Sequence, residues 1–302
     1  AYIHKGDAII CGLDGTPRQT FVNDRGVRAT EVLLCSGEDF DFLVVALNIG
    51  VQVWSTEGKR LIYFFDAKVS PGSSVLSDDG VHFTQGIAMV PGGRHFIVGC
   101  SDGDVFAFKA KTGPHGEACE LSATLRGHDQ PVTCAGADTE CFVSGDAGGT
   151  IIVWSITKHF ERHCSFDGDG VPATSVCARE DLVVASYTTG HLRVFDTQNM
   201  ILTIEISAHS RTINAIDLHP SSMLLATVGE DCFLNVWELP RCGQEGPSGQ
   251  ASRIFQPQVG LLASSCVENR LLTGVRFLAD GSHRIIALAY DCDHLHTWHK
   301  LD

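Results

Sequence analysis

The stretch Ala208 to Leu239, AHSRTINAIDLHPSSMLLATVGEDCFLNVWEL, constrains this chain more than any other. Polar and apolar residues alternate from Thr212 to Leu218 and again from Phe233 to Glu238, with an apolar run, Met223 to Gly229, between them. Alternation with a period of two puts every second side chain on one sheet face, so each run reads as a short strand. Pro220 breaks the chain in the first turn and Glu230-Asp231 form the second. The stretch is one compact unit of strands joined by tight turns.

The same rhythm recurs along the chain. Aromatic residues close alternating strands at Trp54, Phe108, Trp154, Phe195, Trp237 and Trp298. Two long steps hold loop-like insertions rich in Gly, Ser and Pro, Ala67 to Gly80 and Pro240 to Arg253. Inner strands are expected at Thr30–Cys35, Phe83–Val90, Val132–Gly136, Thr174–Ala178, Ile213–Leu218 and Leu272–Leu278. A second apolar strand follows each, as at Phe42–Leu47, His95–Gly99 and Leu182–Ser186. Outer strands are expected at Arg60–Phe65, Glu120–Leu125, Phe160–Phe166, Met200–Ile206 and Ile254–Gln256. Tyr2–His4, Ala8–Gly12 and Gln19–Val22 read as the later strands of one further unit. No helix of useful length is evident.

Strand units of roughly 40–45 residues ending in a Trp-Glu pair resemble WD repeats. The resemblance implies an all-β chain forming a single seven-bladed β-propeller over residues 1–302. Its first blade is incomplete, the inner strand and the closing outer strand being expected upstream of Ala1; six blades is the alternative. In WD repeats a His, a Ser or Thr, an Asp and a Trp share one buried hydrogen-bonded chain, and His209, Thr227, Asp231 and Trp237 match it. Such buried polar groups make sense only as a mutually satisfied set. His128, Ser144 and Trp154 match in a second blade, but Gly148 stands where the Asp is expected. Val98 with Phe108, and Ala185 with Phe195, replace the Ser/Thr and Trp of two others. The network is therefore expected only in the Ala208–Leu239 blade. The order Pro131-Val-Thr, Gly170-Val-Pro172, Ala208-His209, Gly229-Glu-Asp231 and Val236-Trp-Glu-Leu239 resembles the family of animal WD repeat-containing protein 54. That resemblance implies a non-enzymatic cytoplasmic adaptor tied to signalling or membrane-traffic assemblies, and it brings no catalytic residues.

Charge narrows the partners. The formal net charge of −14 over 302 residues opposes general nucleic-acid binding, which needs basic surface to neutralise phosphates. No apolar run is long enough to span a bilayer as a helix, so no direct membrane insertion is expected. The twelve cysteines include no C-x-x-C pair and read as reduced, mostly buried thiols of an intracellular protein. Cys35, Cys100, Cys134 and Cys177 fall in strands, where cysteine behaves as a small hydrophobe.

Two runs carry candidate metal chemistry. In Asp291-Cys-Asp-His-Leu-His-Thr-Trp-His299, His294 and His296 share a strand face and His-x-His can hold zinc. The plainer reading is a polar face of the last strand, and no metal is assigned. Phe166-Asp-Gly-Asp-Gly170 offers two carboxylates but lacks the oxygens and the bidentate Glu of a calcium loop. No nucleophile elbow, P-loop or dinucleotide fingerprint is present, so no cofactor and no catalytic residue is assigned. Two functions stay in view: a protein-binding scaffold, and a reader of a modified peptide or small ligand in a central channel, with a propeller hydrolase behind both. The scaffold is favoured because the loops on the expected working face hold almost no aromatics. The residues expected to meet a partner are Arg28, Asp102, Asp129 and Asp169, then Arg211, Glu268 and Arg270, with Asp78 and Asp79 from the first insertion. This mainly acidic set suits a basic segment of another protein.

Overall fold

The computed structural model of the chain describes residues 1–4, 6–12, 16–21, 27–56, 60–67, 84–113, 116–240, 259–278, 283–292 and 294–299. Among the described residues there are strands and no helix. Two compact units divide the chain, Ala1–Ala173 and Thr174–Asp302.

The first unit holds four sheets. They are β1 (Tyr2–His4), β2 (Asp7–Cys11) and β3 (Pro17–Phe21); β4 (Ala29–Ser36), β5 (Asp41–Leu47), β6 (Gly50–Ser55) and β7 (Leu61–Asp66); β8 (Thr84–Met89), β9 (His95–Cys100), β10 (Val105–Gly113) and β11 (Gly116–Leu125); and β12 (Val132–Ala137), β13 (Cys141–Asp146), β14 (Ile151–Ser155) and β15 (Glu161–Phe166). The second unit holds three. They are β16 (Ala173–Arg179), β17 (Leu182–Tyr187), β18 (His191–Asp196) and β19 (Ile201–Ser207); β20 (Ile213–Leu218), β21 (Leu224–Gly229), β22 (Phe233–Glu238) and β23 (Gly260–Cys266); and β24 (Leu272–Phe277), β25 (Ile285–Ala289) and β26 (His296–Trp298). Each sheet is an antiparallel meander, its strands neighbouring in chain order. Seven sheets are present among the described residues, not six.

Burial explains why the second strands were so legible. Every residue of β17 and β21 is buried, and β5, β9 and β13 are buried after their first residue. A strand covered on both faces reads as a continuous apolar run, whereas an outer strand loses that signal. In the first unit, β4–β7 and β8–β11 pack face to face through Phe42, Val44, Phe65, Phe96 and Phe108. Sheets β8–β11 and β12–β15 meet through Ile97, Val105, Phe142 and Trp154. In the second unit, β16–β19 meets β20–β23 through Val184, Val194, Ile213 and Trp237, and β20–β23 meets β24–β26 through Val228, Val236, Val275 and Ile285.

The pairing register repeats from sheet to sheet. Five pairings of a third with an outer strand shift by one residue immediately before the closing aromatic: at Val53/Trp54, Ala107/Phe108, Val153/Trp154, Val194/Phe195 and Val236/Trp237. A bulge bends the strand and re-aims the next side chain, here into the neighbouring sheet. The pairing of β2 with β3 carries such a shift, between Ile10 and Cys11, and β1 with β2 carries none. Phe21 on β3 packs on Trp54, ring centroids 5.5 Å apart, as Phe65 on β7 packs on Phe108 at 5.4 Å. Strands β1–β3 thus occupy the second, third and outer positions of a sheet. The pairing of β24 with β25 shifts near its start, as inner pairings do, so β24–β26 occupy the first three positions.

One expected strand falls elsewhere. Residues 254–256 lie outside the described residues, and the outer strand that pairs with β22 is β23, Gly260–Cys266. Its sequence, GLLASSC, is mostly exposed, so small polar residues at its far end weaken any alternating pattern. The eleven described cysteines are free. Burial pushes the thiols of Cys100 and Cys134 up to about 12, and those of Cys35 and Cys177 higher, so all four pack as apolar groups.

Candidate functional site

In the second unit a hydrogen-bonded chain runs through the sheet β20–β23. Trp237 Nε1 lies 3.1 Å from Thr227 Oγ1, which lies 2.7 Å from His209 Nε2; His209 Nδ1 lies 2.9 Å from Asp231 Oδ1. The ionised Asp231 carboxylate can only accept, so His209 Nδ1 donates to it and Nε2 accepts from the Thr227 hydroxyl, whose oxygen in turn accepts the indole N–H. His209 therefore carries its proton on Nδ1 and donates it to the carboxylate. Asp231 also accepts from the N–H groups of Ser210, at 2.9 Å, and Phe233, at 3.2 Å. Burial pushes the Asp231 carboxyl upward, but the His209 hydrogen bond and these backbone donors outweigh it and hold it below its ordinary value. The chain fastens the loop leading into β20 to the turn between β21 and β22. Cys232, in that turn, has φ 70°, a left-handed conformation uncommon for a residue with a side chain.

In the first unit a second, equally complete chain crosses β12–β15, which the sequence reading did not expect. Trp154 Nε1 donates to Ser144 Oγ at 2.8 Å, Ser144 meets His128 Nε2 at 2.7 Å, and His128 Nδ1 meets Asp146 Oδ2 at 2.8 Å. The carboxylate comes from Asp146, two positions before the glycine that occupies the expected place. Residues i and i+2 of a strand share a face, so Ser144 and Asp146 on β13 both reach the one imidazole. The other carboxylate oxygen accepts the N–H groups of Gly148 and Thr150, each at 2.9 Å. Asp146 is 1% exposed. Burial lowers the His128 imidazole below its ordinary value against the pull of Asp146, so the ring is held neutral.

The neighbouring loops interlock. Gly103, in the turn between β9 and β10, has φ 90°, and a Cβ there would lie 2.4 Å from the His128 carbonyl oxygen. Only glycine fits that approach. Gly170 N–H donates to the Gly148 carbonyl at 2.9 Å. In the first unit the turn at 101–104, the loop at 126–131, the turn at 146–150 and the loop at 167–171 therefore form one continuous run. In the second unit the N–H groups of Ala208 and His209 both donate to the Gly190 carbonyl at 3.0 Å, and Val267 N–H donates to the Cys232 carbonyl at 2.8 Å. These contacts link the turn at 188–190, the loop at 208–212, the turn at 229–232 and the loop at 267–271.

The two runs differ in charge. The first brings together Asp102, Asp129 and Asp169, and adds Asp104, absent from the sequence reading, and Asp167, which the sequence offered only as a calcium ligand. Asp129, Asp167 and Asp169 are exposed, while Asp102 and Asp104 are half-buried. Burial and the neighbouring Asp102 push the Asp104 carboxyl up, and Arg126, whose Nε lies 3.6 Å away, opposes the shift. Asp102 and Asp104 could have been found together, since a hairpin turn holds i and i+2 close. Arg28 lies in the loop leading into β4, its N–H donating to Asn48 Oδ1 at 2.9 Å, outside the acidic run. The second run is mixed: Arg211 and Arg270 lie among Glu230, Asp231 and Glu268. Asp78 and Asp79 lie outside the described residues.

Known proteins share this pattern of sheets and sequence. The WDR54 family model matches residues 23–300. The chain is similar to WD repeat domain 54 of Rattus norvegicus, 30% identical over 257 residues that cover 82% of this chain and 72% of the relative. WD repeat-containing protein 54 of Mus musculus shows the same identity and coverage, and that of Homo sapiens is 28% identical. The fold is similar to that of a chain in a crystal structure of the mitotic checkpoint complex, with a TM-score of 0.65, 15% identity, and coverage of 92% of this chain and 82% of that one. Seven antiparallel meanders with repeated bulges, two His–Asp–Ser/Thr–Trp chains and a family match along nearly the whole sequence lead to one conclusion. The chain is a seven-bladed WD-type β-propeller and belongs to the WDR54 family.

Proposed function

We propose that this protein is a non-catalytic interaction scaffold of the cytoplasm that receives basic segments of partner proteins on the acidic loop run of its first unit. The observation that carries this reading is the continuity of that run. Five carboxylates, at Asp102, Asp104, Asp129, Asp167 and Asp169, stand on four loops held in fixed relation by the close approach of Gly103 to the His128 carbonyl, the Arg126–Asp104 ion pair, the His128–Asp146 chain and backbone hydrogen bonds. Loops held by their own hydrogen bonds present the exposed carboxylates of Asp129, Asp167 and Asp169 in a fixed arrangement, and preorganisation of this kind lowers the entropic cost of binding. A local excess of negative charge attracts Lys- or Arg-rich chains and sets on-rate and specificity more than raw affinity. The other expected residues, Arg211, Glu268 and Arg270 on the second unit's loops and Arg28 beside β4, belong to a mixed surface that suits partner discrimination rather than attraction. Free, apolar-packed thiols fit a reducing compartment. WD-repeat relatives support the scaffold reading, and a place for this adaptor in signalling or membrane-traffic assemblies is part of the same proposal.

The test is charge reversal. Proteins captured by the wild-type chain are compared with those captured by Asp129→Lys/Asp169→Lys. Affinity for the main captured partner is then measured at two salt concentrations. The wild-type affinity falls with salt, and the double reversal lowers it to the high-salt value. An affinity that ignores both salt and reversal sinks the proposal. Glu268→Lys, on the mixed run, has the smaller effect.

A further inference from the structure

The last sheet of the second unit gathers three soft or borderline ligands at one point. Cys292 follows the turn after β25, and His294 and His296 follow at positions i+2 and i+4, the last of them opening β26. A ligand atom from each of Cys292, His294 and His296 lies within 4.8 Å of the other two. Cys292 Sγ is 3.4 Å from Nδ1 and 3.6 Å from Nε2 of His294, and 3.9 Å from Nε2 of His296. The two imidazole rings stand 4.9 Å apart at 61°, not stacked, so their nitrogens can converge on the thiol.

The sulfur-to-nitrogen spacings are those of a coordination polyhedron, and the set as a whole, within 4.8 Å, closes around an ion by small rotations of the two imidazoles. With Zn–S of about 2.3 Å and Zn–N of about 2.0 Å, a tetrahedral ion sets its sulfur and nitrogen ligands about 3.5 Å apart. The sulfur-to-nitrogen distances here bracket that value. The surroundings hold the set in place. Cys292 and Trp298 both pack against the apolar cluster of β20–β26. Trp298 Nε1 donates to Ser265 Oγ at 3.0 Å, which fixes β26 against the outer strand of the preceding sheet. His294 is exposed, so the point opens to solvent.

We infer that Cys292, His294 and His296 form a site for a zinc ion, held by the Cys292 thiolate and one nitrogen of each imidazole. The fourth position is left to water or to a ligand brought by a partner. One sulfur and two nitrogens suit zinc, whereas calcium and magnesium take oxygen ligands. Binding releases the thiol proton, so it weakens as the solution is acidified. The ion draws the segment after β25 onto the sheet and gives the end of the second unit an open coordination position.

The experiment uses the full chain, reduced and stripped of metal, titrated with Zn2+ against a chromophoric chelator and with Co2+ as a spectroscopic probe. The expected result is one equivalent bound, with a near-ultraviolet thiolate-to-cobalt charge-transfer band. Loss of an outer-shell partner alone weakens metal sites about 10–100-fold, so Cys292→Ser, His294→Ala and His296→Ala each lose more than about tenfold in affinity. Cys292→Ser also removes the charge-transfer band. Cys266→Ser, which changes an exposed thiol on β23, keeps the ion. Should Cys292→Ser fail to fold, the exposed His294 carries the same test. The inference is overturned if no stoichiometric ion binds, if the ion and the band survive Cys292→Ser, or if Cys266→Ser removes them equally.

Discussion

Sheets β8–β11 and β12–β15 are neighbours in one unit with the same topology, yet different chemistry holds them together. In β12–β15 a Trp–Ser–His–Asp chain crosses the sheet and anchors its loops. In β8–β11 the corresponding positions are Val98 and Phe108, and the sheet is closed by aromatics instead. Phe108 stacks on Phe96 at 5.1 Å and 17°, and meets Phe65 edge-on at 5.4 Å. Both sheets carry the bulge before the closing aromatic and both bury that residue. The shared requirement is a large side chain aimed by a bulge into the preceding sheet. The polar chain is an additional device that orders loops, and it appears where loops must be held.

The largest expected effect breaks the apolar side of this comparison. Phe108→Ala removes a fully buried ring with aromatic neighbours on several sides and costs about 3–5 kcal/mol, read from urea titration. A loss under about 1 kcal/mol shows that the polar chains, not the aromatics, carry the unit.

Next come the carboxylates of the two chains. Asp146→Ala leaves one imidazole N–H and two backbone N–H groups without their acceptor in a site that water scarcely reaches, at about 2–4 kcal/mol. Asp231→Ala costs less, about 2 kcal/mol, because its turn is more open and water can replace the carboxylate. Asp102→Ala, whose half-buried side chain accepts the N–H of Asp104 at 3.0 Å, costs below about 1 kcal/mol. Equal losses at all three positions contradict the role given to burial.

A smaller effect sharpens the register. Gly148→Asp restores the residue that the repeat pattern expects, but its Cβ lies 3.3 Å from Asp146 Oδ1 and from Gln130 Cγ. A second carboxylate beside the first is expected to destabilise by about 1 kcal/mol. A gain in melting temperature instead means that the chain through Asp146 is incomplete.

The smallest effect is a pH dependence. His128 is held neutral by burial, so its value in the folded protein lies below its unfolded one, about 6.5. As pH falls below about 6.5 the unfolded chain takes up the proton first, and stability is lost down to the folded value. The wild type therefore loses more stability than His128→Gln between pH 7.5 and 5.5, and parallel curves contradict the buried neutral ring. The depressed carboxyl of Asp231 acts in more acid solution. Its contribution is present above its unfolded value, about 3.9, and is lost as pH falls through the folded one.

The sequence by itself determined the repeat, the strand order and most strand positions. Alternation and turn chemistry are local, and strands buried on both faces, such as Leu182–Tyr187 and Leu224–Gly229, announce themselves as apolar runs. The His209–Asp231 chain was legible because its four residues sit at the usual spacing. The tertiary structure alone decided what depends on register and packing. A carboxylate on the strand, Asp146, replaces one in the turn, because a shared sheet face matters more than distance along the chain. The outer strand at Gly260–Cys266 escaped notice because its exposure removes the apolar signal. Loops far apart in sequence join into one acidic run through backbone hydrogen bonds and a glycine close approach that no side-chain pattern encodes. Cys292 meets His294 and His296 only because the turn after β25 brings the thiol and the two imidazoles to one point, a convergence set by backbone path rather than by residue type.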